Sequence, residues 1–117
     1  MAEELRRVEW VGSSRADAAA LPRPVRGSFG TRLQALQRGR IARDVKALPQ
    51  LGSGVFEMRE SFDKNAYRMM YVLKLRKAIY VLHVFMKKSK SGIGLPKTDA
   101  ATIAARLKRA REMDAED

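Results

Sequence analysis

The chain reads as one small α+β domain, and three observations lead there. Its 117 residues suffice for one hydrophobic core but not for two. From Tyr67 to Lys90 run two stretches rich in Val, Ile, Leu, Tyr and Phe, apolar on odd and even positions alike, which is the pattern of central strands covered on both faces. Between residues 14 and 39, and again after Pro96, apolar residues recur at three- and four-residue steps, the period of helices that pack on one side. The expected architecture is therefore an antiparallel or mixed sheet with two N-terminal helices and one C-terminal helix, in the order β-α-α-β-β-β-α.

Arg7 to Val11 is a short first strand, ended by Gly12-Ser13-Ser14. Ser14 and Asp17 have the spacing of a capping box, so a helix should open there and run to Leu21, where Pro22 and Pro24 stop it. A second helix opens near Pro24 or Val25, with Val25, Phe29, Leu33 and Leu36 on one face and Gly39 as its C-terminal cap. Ala42 to Gly54 carries the Pro and Gly punctuation of a loop with room for a short helical turn.

Val55 to Phe62 alternates as a strand, with Phe56, Met58 and Phe62 on one side and Val55, Glu57 and Arg59 on the other. The turn Asp63-Lys64-Asn65-Ala66 joins it to Tyr67–Lys74, and Leu75-Arg76-Lys77 leads into the last strand. If that second turn is odd in length, Arg68, Met70 and Val72 share a face with Leu82, Val84, Met86 and Lys88; a two-residue turn would put Arg68 with His83 and Lys87 instead. The odd turn is the expectation. Gly92-Ile93-Gly94 reads as a hinge, because it lacks the rest of a phosphate-binding loop. Pro96 to about Glu112 is a helix with Ala100, Ile103, Ala104, Leu107 and Arg111 as its stripe, and the acidic residues 112–117 form a frayed tail of the single domain 1–117.

The charge is strongly positive: 24 Lys and Arg against 13 Asp and Glu give a net +11. Such a balance favours a polyanionic partner, whether nucleic acid, an anionic membrane surface or an acidic protein. The excess sits on the sheet, since Arg59 to Lys90 holds nine cations and two acids whereas Ser91 to Asp117 holds five of each. With no cysteine, thiolate nucleophiles, thiolate metal sites and disulfides are excluded, and a reducing cytoplasm is the expected location. No apolar run has the length of a membrane span and the start Met-Ala-Glu-Glu lacks a signal-peptide core.

One histidine and scattered carboxylates offer no metal-ligand spacing, so no metal and no cofactor is expected. His83, between Leu82 and Val84, is either a hydrogen-bonded core residue or a catalytic imidazole. Tyr67, Tyr71, Tyr80 and Phe85 are core residues at strand spacing, with one or two available to stack on bases. Arg59, Arg68, Lys87, Lys88 and Lys90 converge on one end of the sheet, where two arginines on neighbouring strands beside a Lys-Lys pair make a phosphate clamp. Arg76 and Lys77, in the turn, are further RNA-binding candidates.

Trp10-Val11-Gly12-Ser13-Ser14, Gly54-Val55-Phe56-Glu57-Met58-Arg59, Tyr67-Arg68, Tyr71-Val72, the run Tyr80 to Ser89 and Pro96-Lys97 together resemble the phage-related HigB-type branch of the RelE toxin superfamily. The resemblance covers most of the chain and implies the RelE fold, together with the activity of a small basic ribonuclease that cleaves messenger RNA in the ribosome and is neutralised by a helix-turn-helix antitoxin. It puts Arg59 at a basic position of the second strand, Arg68 at the strand-three arginine and Lys88 at or beside the basic position after the last strand. Leu95 stands where relatives often have a capping Thr, and no Tyr or His follows His83 to match the family's C-terminal catalytic residue.

The function these readings support is a toxin that is a metal-independent endoribonuclease, cleaving mRNA by attack of a 2′-hydroxyl on the adjacent phosphate. Arg59 and Arg68 would stabilise charge, Lys87 or Lys88 would take the proton, and Tyr71 would be a donor. The alternatives are a non-catalytic RNA- or DNA-binding module and a phage structural protein.

Overall fold

The computed structural model describes residues 5–87 and 95–116. Its elements are β1 (Arg7–Trp10), α1 (Ser14–Ala19), α2 (Arg23–Gln37), β2 (Val45–Ala47), β3 (Val55–Phe62), β4 (Asn65–Val72), β5 (Ala78–Lys87) and α3 (Lys97–Ala115). They build an α+β domain on one five-stranded sheet in the order β1-β5-β4-β3-β2. β1 lies parallel to β5, and every other pairing is antiparallel. The two doubly apolar strands, β4 and β5, are central, as their composition requires.

Each sheet face has its own core. On one side Val25, Phe29, Leu33 and Leu36 of α2 pack on Met58, Met69, Tyr71 and Ile79. On the other Ile103, Leu107 and Ala110 of α3 pack on Met70, Val72, Tyr80 and Leu82. Fully burying one such aliphatic side chain contributes about 1.5–3 kcal/mol, so both faces must be covered for the sheet to hold. α2 ends where Gly39, at φ +74°, lets its N–H reach Leu36 O (3.0 Å) while Arg40 N–H reaches Ala35 O (2.9 Å), a closure that favours glycine at the left-handed position.

Several local expectations are corrected. The segment Ala42–Gly54 is not all loop: Val45–Ala47 adds a short edge strand to β3 and Pro49–Leu51 makes a 3-10 turn. The β3–β4 turn takes only Asp63 and Lys64, both at positive φ, so pairing begins at Phe62–Asn65. At α1 the residue joined to Asp17 is Ser13, whose hydroxyl donates to the carboxylate at 2.8 Å; Ser14 is buried and donates to Val81 O. α3 does not fray after Glu112, because Asp114 accepts the backbone N–H groups of Arg76 (2.8 Å) and Lys77 (2.7 Å) and the Tyr80 hydroxyl (3.2 Å), which fastens the last turn to the β4–β5 connection. The buried stripe of α3 accordingly runs through Ile103, Leu107, Ala110 and Asp114, leaving Ala104 and Arg111 exposed.

The pairing of β4 with β5 decides which cations meet. Near the turn Val72 faces Tyr80 and Tyr71 faces Val81, the register of an odd turn. Beyond it Met70 faces His83, so Leu82 is the extra residue of a β-bulge that shifts the register by one. Arg68 therefore lies opposite Phe85 and shares its face with His83 and Lys87, while Val84 points into the α2-side core. The expected grouping holds for Leu82, which packs with Met70 and Val72 in the α3-side core, and is wrong for Val84 and Met86 for this reason. Lys88, Lys90 and the Gly92-Ile93-Gly94 segment lie outside the described residues.

Candidate functional site

Alternation along three paired strands brings the charged residues onto the α3 side of the sheet. In one row across the strands stand Lys46, Glu57, Met70 and His83; in the next, Arg59, Arg68 and Phe85; Lys87 follows opposite Ala66. α3 covers this face only in part. Toward the turn end of the β3–β4 hairpin a cleft of about 450 Å³ remains, with Lys46, Glu57, Arg59, Arg68 and Lys87 among its lining residues.

Glu57 is the organising residue. It is 2% exposed, and its two oxygens accept from different guanidiniums: Arg59 Nε at 2.9 Å and Arg68 Nη1 at 3.1 Å. A carboxylate buried that deeply is tolerated only because both oxygens are matched by charged donors. The pairing also fixes the two arginines side by side. Arg59 binds through Nε and its side chain remains half-exposed, so the outer fork is open to an anion; Arg68 is buried, and its own Nε has no partner among the described residues. Among the described residues that line the cleft there are thus four cations and one carboxylate, which binds two of them. The start of α3 also borders the cleft through Ala100, with Leu95 just ahead of the helix, and a helix N-terminus adds partial positive charge.

Next to the cleft, His83 Nε2 shares a 2.7 Å hydrogen bond with Asp99 Oδ1 in the first turn of α3, and its ring stacks on Phe85 with centroids 4.7 Å apart. His83 Nδ1 is buried without a partner among the described residues. The contact ties the start of α3 to the sheet, beside the wall that Leu95 and Ala100 give to the cleft.

Of the residues singled out from the sequence, Arg59, Arg68 and Lys87 are brought together. Tyr71 is not: it is 1% exposed on the opposite face, stacked on Phe56, and burial pushes its phenol up to about 12. Pointing away from the cleft, it is a core residue. Arg76 and Lys77 stand at the other end of the sheet, where their amides bind Asp114 and the Arg76 guanidinium donates to Asp114 O at 3.0 Å. They do not join the clamp. Glu57 and Lys46 were missed. Glu57 carried a signal, since a lone acid at an inward position of a strand needs a cationic partner, and Arg59 and Arg68 were the cations in reach. Lys46 carried none, because the strand that positions it was read as loop.

Among the described residues no three His, Asp or Glu side chains gather so as to hold a metal ion, and no helix is long and apolar enough to cross a membrane. No curated protein and no solved structure matches the chain. The family model of the phage-derived Gp49-like proteins (DUF891), a RelE/toxin-like family, matches residues 16–109. That span runs from α1 to α3 and contains β3, β4 and β5 with all four cations of the cleft. The chain belongs to the Gp49-like family of phage-derived, toxin-like proteins.

Proposed function

We propose that this protein is a toxin of the HigB type that cleaves messenger RNA through the cleft at the β3–β4 end of its sheet. The observation that carries the reading is the Glu57 carboxylate holding Arg59 and Arg68 side by side, in a cleft that Lys46 and Lys87 also line. Such a constellation suits a phosphodiester: two oriented guanidiniums for its oxygens and mobile amines for its net charge.

The chemistry that fits is attack of a 2′-hydroxyl on the neighbouring phosphorus, with release of the 5′-oxygen of the next nucleotide. Arg59 and Arg68 stabilise the extra negative charge of the transition state, and Glu57 positions them without taking part. Arginine does not exchange its proton, so the proton transfers fall to the amines that line the described cleft: Lys87, in its neutral form, takes the hydroxyl proton, and the ammonium of Lys46 gives one to the departing 5′-oxygen. Lys88, next to Lys87, is the other amine in sequence reach. No step calls for a metal or a cofactor. The messenger RNA would be met on the ribosome in the cytoplasm, and a helix-turn-helix antitoxin would hold the protein inactive.

Induction of the chain in growing cells tests this. Growth should stop and mapped mRNA ends should accumulate, while Arg68→Ala restores growth at equal protein level. Arrest by Arg68→Ala as strong as that of the parent would contradict the reading.

RNA binding without cleavage is the second reading. It is favoured by the position of Tyr71, which removes the phenol from the list of proton donors. Intact RNA retained by the protein, with growth arrest but no new mRNA ends, would support it.

A further inference from the structure

Lys87 reaches the cleft because β5 carries an extra residue at Leu82. A bulge leaves that residue unpaired with β4, and β1, on the other side of β5, pairs only as far as Val81. Leu82 is fully buried, so its carbonyl needs a partner from outside the ladder. The Arg106 guanidinium of α3 supplies one: Nη1 donates to Leu82 O at 3.0 Å while Nη2 donates to Ser13 Oγ at 2.9 Å. One residue earlier, Val81 O accepts both the Val11 N–H (3.0 Å) and the buried Ser14 hydroxyl (3.1 Å). The Gly12-Ser13-Ser14 turn and Arg106 thus grip β5 at the two residues where its register changes. Gly12 lets them meet, since it sits at φ +59° and a Cβ there would stand 2.6 Å from Arg106 Nε.

We infer that Arg106 is a positioning residue of the cleft: by capping the Leu82 carbonyl it holds the bulge, and the bulge turns Lys87 toward the cleft where the alternation would otherwise bring Lys88. That Lys87 serves RNA rests on the function proposed above; that Arg106 sets its place does not.

Without the cap, a buried carbonyl left unpaired weighs against the bulge. The plain register of an odd turn, with Met70 opposite Leu82 and Ala66 opposite Met86, then gains population. Val84 in the α2-side core and His83 on Asp99 favour the bulge as well, so the two registers should coexist.

The test reads NMR NOEs between β4 and β5, and the slope of log affinity against log salt for a labelled oligo(U) ribonucleotide. It compares the parent, Arg106→Met and Gly12→Ala, each with and without Lys87→Ala or Lys88→Ala. In the parent, NOEs should join Met70 to His83 and Ala66 to Lys87, and Lys87→Ala should lower the slope by about one. In Arg106→Met and in Gly12→Ala a second set, Met70 to Leu82 and Ala66 to Met86, should appear; there Lys87→Ala should lower the slope less than in the parent, and Lys88→Ala more. Gly12→Ala keeps the charge of Arg106, so agreement between the two variants separates positioning from a lost phosphate contact. Unchanged NOEs in Arg106→Met, loss of the β5 signals with no second register, or effects of Arg106→Met and Lys87→Ala that simply add would overturn the inference. A second register with no change of slope from either lysine would keep the clamp and overturn Lys87 as a cation of the RNA site.

Discussion

The two ends of the α3 face treat positive charge in opposite ways. At the β4–β5 connection, Arg76 and Lys77 meet Asp114, which caps their amides and also takes the Tyr80 hydroxyl. At the β3–β4 turn end, Lys46, Arg59, Arg68 and Lys87 line a cleft in which Glu57 is the one carboxylate among the described residues, and it pairs with the two arginines. One end is a closed structural latch. The other keeps a surplus of cations in a cleft, an arrangement that folding alone does not favour because like charges repel. The cations of this face thus divide into those whose backbone the fold fastens at Asp114 and those left in surplus around the cleft.

The largest effect should come from breaking the open end. Replacing Arg68 by Ala should lower RNA cleavage about 100-fold or more, the usual cost of removing one donor from a developing oxyanion. Glu57→Ala should unfold the site itself, since it leaves Arg68 buried without its counter-charge; a loss of about 3 kcal/mol in denaturant unfolding is expected. If Glu57→Ala were as stable as the parent, the organising role of this carboxylate would fall.

The latch should respond in stability and not in activity. Asp114→Ala should cost about 2 kcal/mol, because two backbone N–H groups lose their acceptor, with cleavage measured well below the melting temperature unchanged. Burial would raise the Asp114 pKa, but the amides of Arg76 and Lys77 and the Tyr80 hydroxyl outweigh it and hold it below the ordinary carboxylate value. A depressed folded pKa gives stability that is present above the unfolded value and is lost as pH falls through the folded one. Acid unfolding of the parent and of Asp114→Asn should therefore converge at pH below that folded value and separate above about pH 4.

Smaller effects sharpen the contrast. Neutralising Lys46 or Lys87 should reduce the slope of log affinity against log salt by about one each, whereas Arg76→Ala with Lys77→Ala should leave the slope nearly unaltered. Tyr71→Phe should cleave RNA at the parent rate, since the phenol is buried on the other face.

Much of this was legible in the sequence, for identifiable reasons. β4 and β5 announced themselves because both their faces are buried, and α2 because Val25, Phe29, Leu33 and Leu36 all point into one core. Arg59 and Arg68 could be paired because they sit directly opposite across a tight hairpin. The partner on β5 could not be read, since a bulge at Leu82 leaves no mark in composition yet exchanges Lys87 for Lys88 in the alternation. β2 was hidden by its three-residue length and its neighbouring Pro and Gly. Asp114 looked like part of an acidic tail because its partners are backbone amides, which have no sequence signature.

The most direct measurement is cleavage of a defined RNA by the purified chain in EDTA, with and without ribosomes, against the same RNA carrying one 2′-deoxyribose at the cleaved position. The account predicts cleavage that leaves a cyclic or 3′-phosphate end, depends on Arg68 and is blocked by the single missing hydroxyl. Cleavage of the deoxy-substituted RNA at an undiminished rate, or an equal rate from Arg68→Ala, would contradict it.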